Sequence, residues 1–118
     1  MHKLVKIDFF GKEQTLYFNV LRLAELERAL GKSILKIVAE QEVGVDFCCH
    51  ALAIGLKHHD KKMSYLKAAE MLEDYFERGG DLNEIIMAGV KALMATGLFG
   101  KRSLENESEE QEGTEGKN

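Results

Sequence analysis

The first eighteen residues show an alternation of hydrophobic and polar positions. Val5, Ile7 and Phe9 fall on one side of an extended chain, and the residues between them are mostly polar. This period of two is typical of a half-buried strand. A turn signal at Gly11 is followed by a second short run at 14–18, so the pattern predicts an N-terminal β-hairpin. Because a lone hairpin is only marginally stable in water, we expect it to pack on the residues that follow.

From residue 20 onward the hydrophobic residues recur three and four positions apart, which indicates helices. Residues suited to helix N-caps precede four of these segments: Asn19, Ser33, Ser64 and Asp81. Glu84 follows Asp81 by three residues, which predicts a variant of the capping box. Glycines suited to helix ends follow at Gly31 and at 79–80. The pattern therefore predicts a mainly α (α+β) fold, with the hairpin packed on a compact bundle of four to five helices.

One segment, Val45 to Leu56, is apolar around most of a helical circumference. A helix of this kind is expected at the centre of a bundle, where other elements cover every side. Gly55 lies inside it, although glycine costs about 1 kcal/mol relative to alanine in a helix interior. The glycine therefore predicts a close approach of another element.

The composition changes after Gly100. Residues 101–118 hold six glutamates against three basic residues, a net charge of −3, and Leu104 is the only sizeable apolar side chain. Such a segment buries too little apolar surface to offset the entropy lost on ordering. We therefore predict a helical domain over residues 1–100 and a disordered acidic tail over 101–118.

Whole-chain properties exclude several classes of partner. The chain has 118 residues and a net charge of −4, so it has no basic footprint for nucleic acid. No run approaches the roughly 20 apolar residues of a membrane helix, and the first residues differ from a signal peptide. We expect a cytoplasmic protein that binds neither nucleic acid nor membrane.

Two histidine-containing runs invite a metal or thiol interpretation, CCH at 48–50 and HHD at 58–60. Zinc needs four converging ligands, and adjacent cysteines on one helix point in different directions. A disulfide between them would be strained, and an apolar helix raises thiol pKa values. We predict core thiols in a reducing compartment, loop histidines and no metal.

Other catalytic features are weak. The carboxylates on the fourth predicted helix, Glu70, Glu73, Asp74 and Glu77, lie near Lys67 and Arg78, which predicts a solvated, ion-paired face. Gly79-Gly80 lacks the pattern of a phosphate loop. We expect no catalytic residues and no cofactor, and therefore not an enzyme.

Three helix-boundary motifs occur in order along the chain. They are L-x-x-L-E-x-A-L-G-K-S at Leu23 to Ser33, G-L-K-H-x-D at Gly55 to Asp60, and G-G-D-L-x-E-I-I at Gly79 to Ile86 with G-L-F-G at Gly97 to Gly100. In this order the chain resembles the tail assembly chaperones of long-tailed bacteriophages and prophages, over roughly residues 3–100.

The resemblance implies a function in virion assembly. Such chaperones bind the tape-measure protein, keep it soluble in the host cytoplasm, help tail-tube subunits polymerise around it and are absent from the mature virion. Many families also make a longer product by frameshifting near the end of this domain. The alternative is a small helical regulatory adaptor or another protein-binding module.

An exposed apolar patch would suit either function, because a helical partner can dock through apolar anchors at helical spacing. Methionines recur through the last two predicted helices, and methionine also occurs on adaptable binding surfaces. The candidate partner-binding residues are Phe76, Ile86, Val90, Met94, Leu98 and Phe99. The same surface could support self-association.

Overall fold

A computed structural model describes residues 4–100 of the chain. Its elements are β1 (Leu4–Ile7), β2 (Gln14–Tyr17), α1 (Val20–Leu30), α2 (Ile34–Ala39), α3 (Val45–Gly55), α4 (Tyr65–Glu77) and α5 (Leu82–Met94). The predicted fold class is confirmed, since a two-stranded antiparallel hairpin precedes five helices. The predicted disordered tail, residues 101–118, lies outside the described residues.

The hairpin is anchored through one face. Its register pairs Leu4 with Tyr17 and Ile7 with Gln14. Ile7 is buried on the inner face, as the alternation predicted, and Leu16 of the second strand is buried beside it. Helix α3 packs against β2, and α5 packs against both strands. The inner face of the hairpin therefore packs against α3 and α5.

Helix α3 is the centre of the core, as its composition predicted. Eight of its residues are buried, from Phe47 to Gly55, and α1, α4 and α5 all pack against it. A Cβ atom added at Gly55 would lie 3.0 Å from Leu16 Cδ2 and 3.0 Å from Phe18 Cε2. The predicted close approach at Gly55 is thus the contact between the hairpin and α3.

The predicted helix starts are confirmed by their hydrogen bonds. Each predicted N-cap side chain accepts a hydrogen bond from a backbone N–H in the first turn of its helix: Asn19, Ser33, Ser64 and Asp81. The capping-box prediction is wrong, because Asp81 Oδ1 accepts from the Asn83 N–H, and the Glu84 N–H donates to the Asp81 carbonyl instead of the Asp81 side chain. Glu84 Oε1 accepts a hydrogen bond from the Tyr75 hydroxyl at 3.2 Å, and so it ties α5 to α4.

Helix α4 ends in a Schellman motif. Gly79 has a φ of 89°, which glycine adopts without strain. Its N–H donates to the Phe76 carbonyl at 2.9 Å, and the Gly80 N–H donates to the Tyr75 carbonyl at 2.9 Å. The motif reverses the chain and directs it into α5.

The helices of residues 4–100 are too short or too polar to cross a lipid bilayer, as judged from their length and hydropathy.

Candidate protein-binding surface

Helix α5 carries more apolar side chains than its core can bury. Residues 85–88 are four consecutive hydrophobic positions, and successive positions of a helix point in different directions. Ile85 is buried, Ile86 and Val90 are half-buried, and Met87 is 70% exposed. An apolar strip of α5 therefore remains open to solvent.

This strip forms one wall of a cleft of about 470 Å³ between α5 and the first strand. The α5–β1 cleft is lined by Val5, Lys6, Ile86, Met87, Ala88, Val90 and Lys91. Its only charged lining residues are Lys6 and Lys91, so the cleft is apolar with a positive rim. Lys6 Nζ lies 3.9 Å from Glu13 Oε2, but both side chains are exposed and the pair contributes little.

The structure distributes the six candidate partner-binding residues over several places. Ile86 and Val90 lie together in the α5–β1 cleft. Phe76 lies on α4, where its ring centroid is 6.0 Å from that of Tyr75, and it does not line the cleft. Met94 is half-buried at the end of α5. Leu98 and Phe99 follow it and pack against the core.

The candidates predicted from the sequence do not include Met87, Val5, Lys6 or Lys91, all of which line the cleft. The run at 85–88 contained a signal for Met87, because one helix cannot bury four consecutive side chains on a single face. The position of Val5 opposite α5 carries no local signal, since it depends on how the hairpin docks. Exposure alone is not specific, because Leu66 is 67% exposed and lies outside the cleft.

A second cavity of about 450 Å³ lies between the hairpin turn and α4. Its lining mixes apolar side chains such as Phe10 and Met71 with both signs of charge, including the Lys67–Asp60 ion pair at 3.1 Å. Gln14 reaches this cavity, and its Oε1 is buried without a hydrogen-bond partner in the described part of the chain. The mixed lining makes this cavity less suited than the α5–β1 cleft to an apolar partner.

The adjacent thiols lie in the core. Cys48 and Cys49 are free and buried. Burial raises the pKa of Cys48 to about 12, and burial also raises the pKa of Cys49. Both thiols are therefore protonated at neutral pH and poorly nucleophilic. Within residues 4–100, no three histidine, cysteine or acidic side chains are grouped so that they could hold a metal ion.

The burial of the thiols predicts their reactivity. In the native protein, iodoacetamide at neutral pH should modify neither Cys48 nor Cys49 within minutes, because the thiolate population and the access are both low. Unfolding in urea should expose both thiols to modification. Mass spectrometry of the two samples checks this, and rapid native modification would contradict the assigned burial.

The loop histidines have a structural role that the sequence pattern did not reveal. The Thr15 N–H donates to His59 Nε2 at 2.9 Å, and Thr15 Oγ1 lies 2.9 Å from His58 Nε2. The His58 ring also contacts Tyr17, with centroids 5.6 Å apart. Both histidines thus hold the loop after α3 against the second strand.

This contact predicts a pH dependence of stability. Burial lowers the pKa of His58 below its ordinary 6.5, and the neighbouring His59 and Arg22 act in the same direction. A histidine with a lowered folded pKa contributes full stability above its unfolded pKa and loses that contribution as the pH falls towards the folded value. Urea unfolding should therefore show lower stability at about pH 5.5 than at about pH 7.5.

The His58→Gln variant is the matched control for this measurement. Its stability should vary less across the same interval, because the titrating ring is gone. An equal pH dependence in both proteins would contradict the role of His58.

Comparison with known proteins assigns no family to this geometry. No protein-family model, curated protein or solved structure matches the chain.

Proposed function

We propose that this chain is a tail assembly chaperone of a long-tailed phage or prophage. It binds apolar segments of the tape-measure protein through the α5–β1 cleft, keeps that protein soluble in the host cytoplasm and helps recruit tail-tube subunits. The observation that carries the proposal is Met87, which is 70% exposed between the half-buried Ile86 and Val90. The exposed Met87 side chain does not stabilise the isolated chain. A partner with apolar side chains would bury it, and that burial would stabilise the complex.

The energetics suit a reversible chaperone. Each apolar side chain that becomes fully buried contributes roughly 1.5–3 kcal/mol. Much of that sum is offset by lost translational, rotational and side-chain freedom, so a few anchors give modest affinity. Methionine adapts to partners of different shape because it is unbranched and flexible. Such a surface can hold many apolar segments of one long client and release each of them during assembly.

The motifs behind the resemblance support the proposal through their positions. The motif at Gly79 to Ile86 contains the Schellman turn, the Asp81 cap and the first residues of α5. It therefore sets where α5 begins and which of its side chains face outward. Ile86, the last residue of the motif, lies in the cleft. The motif thus helps to position the proposed binding surface.

Co-expression tests the proposal. The tape-measure gene from the same gene cluster is expressed in a bacterial host with and without this chain. We expect a larger soluble fraction of the tape-measure protein when the chain is present, and co-purification of the two proteins. Equal solubility in both strains would refute the chaperone function, and a gene cluster without tape-measure and tail-tube genes would favour a regulatory adaptor.

A further inference from the structure

The two outer edges of the hairpin differ in whether other residues hydrogen-bond to them. The Thr15 N–H points away from β1, because it donates to His59 Nε2. Lys6 and Thr15 are therefore a non-hydrogen-bonded pair. Since the two kinds of pair alternate along an antiparallel ladder, Val5 and Leu16 exchange the backbone hydrogen bonds instead. The outer edge of β2 is thus covered by the loop after α3.

The outer edge of β1 has no such cover within residues 4–100. In a non-hydrogen-bonded pair the N–H and C=O of Lys6 point outward, and no described residue makes a hydrogen bond to them. An edge of this kind is a template on which another strand can form. The hairpin also gains from a third strand, because two strands alone are marginally stable.

The open edge lies beside the apolar cleft. Val5 and Lys6 form one wall of the α5–β1 cleft, and Met87 and Val90 belong to the other. A strand hydrogen-bonded to β1 would direct every second side chain into the cleft and the remaining side chains towards solvent. The edge supplies backbone hydrogen bonds, and the cleft supplies side-chain contacts.

We propose that the outer edge of β1 accepts an extended segment of a partner protein as a third strand. The segment carries apolar residues that alternate with carboxylates. Charge favours this occupant, because Lys6 and Lys91 are the charged residues of the cleft and both are positive. A second copy of the chain is disfavoured, since a symmetric interface would bring the same lysines together. The inference holds for any partner, including one other than the tape-measure protein.

Amide hydrogen exchange of the full chain tests the strand directly. The probe is a nine-residue peptide with capped ends in which valine alternates with glutamate. It is used at concentrations at which it does not associate with itself. We expect it to slow exchange of the Lys6 amide by roughly tenfold, the effect of one added hydrogen bond. The Thr15 amide is the internal control, because its hydrogen bond already exists. A peptide in which valine alternates with lysine should bind much more weakly.

Two variants separate the contribution of the Lys6 backbone N–H to peptide binding from that of the Lys6 side-chain charge. Lys6→Pro removes the outward N–H, which the hairpin itself does not use, and should weaken peptide binding roughly tenfold. Lys6→Ala keeps the N–H and should lose only about twofold to fivefold. If Lys6→Pro does not fold, the exchange of Lys6 in the unaltered chain decides alone.

Several outcomes would overturn the inference. One is equal binding by Lys6→Pro and the unaltered chain, and another is peptide binding without slower exchange at Lys6. Protection of Lys6 that rises with protein concentration, without peptide, would show that a second copy occupies the edge. Binding that occurs only after removal of residues 101–118 would show that the chain's own acidic segment occupies it.

Discussion

Replacing Phe18 by alanine is expected to lower the free energy of unfolding by about 3–5 kcal/mol. Phe18 is completely buried and lies over Gly55, so it joins the end of β2 to the central helix. The truncation removes the contacts of a full aromatic ring and leaves a cavity. Since a small domain is stable by only about 5–15 kcal/mol, the loss is a large part of the total. Equilibrium unfolding in urea measures it.

Val20→Ala is the matched control for Phe18→Ala. Val20 begins α1 two residues later, and its side chain is 82% exposed. Its replacement should change the free energy of unfolding by less than about 0.5 kcal/mol. If Phe18→Ala costs no more than Val20→Ala, the hairpin is not anchored on α3 in the way described.

The second large effect is expected at Gly80, where alanine should cost about 1–3 kcal/mol. A Cβ at this position would lie 2.4 Å from Cε2 and Cζ of the Tyr75 ring. The ring cannot move away freely, because Phe9 and Phe10 pack edge-on against it at 5.5 and 5.9 Å between centroids. The junction of α4 with α5 must therefore distort.

A double-mutant cycle isolates that clash. In a Tyr75→Ala background the obstructing ring is absent, and Gly80→Ala should then cost less than about 0.5 kcal/mol. Urea unfolding of the four proteins gives the coupling between the two sites. Equal costs of Gly80→Ala in both backgrounds would show that contact with the Tyr75 ring is not the reason why position 80 requires glycine.

Local sequence patterns predicted the strands and helices, because the residues that start or end each element lie within it or directly beside it. Asn19, Ser33, Ser64 and Asp81 satisfy backbone donors that any helix start leaves unpaired, so their effect needs no tertiary information. Gly55 indicated a close approach because its cost in a helix demands a compensating contact. The contacting residues, Leu16 and Phe18, could be identified only from the docked hairpin.

The candidate binding surface was harder to predict because it depends on packing between distant segments. Thr15 and His59 are 44 residues apart, and their hydrogen bond decides which edge of the hairpin stays open. Similarly, Ile86 and Val90 were selected from helical spacing, but Val5 joins them only through the docked strand. Glu84 illustrates the same limit, because the hydroxyl of Tyr75 takes the place of its predicted backbone partner.

The most direct test of the α5–β1 cleft as the proposed client-binding site compares substitutions at two positions whose side chains are similarly exposed. Met87 is 70% exposed and lines the cleft, whereas Leu66 is 67% exposed on α4 and does not. Circular dichroism first establishes that Met87→Glu and Leu66→Glu are both folded. Each variant is then added in increasing amounts to the complex of the tape-measure protein with the unaltered chain. The fraction of unaltered chain that the variant displaces gives the relative affinity of the variant. Met87→Glu should bind at least about tenfold more weakly, since a carboxylate would lose its hydration in an apolar contact, and Leu66→Glu should match the unaltered chain. Equal binding by Met87→Glu and the unaltered chain would contradict the assignment of the cleft.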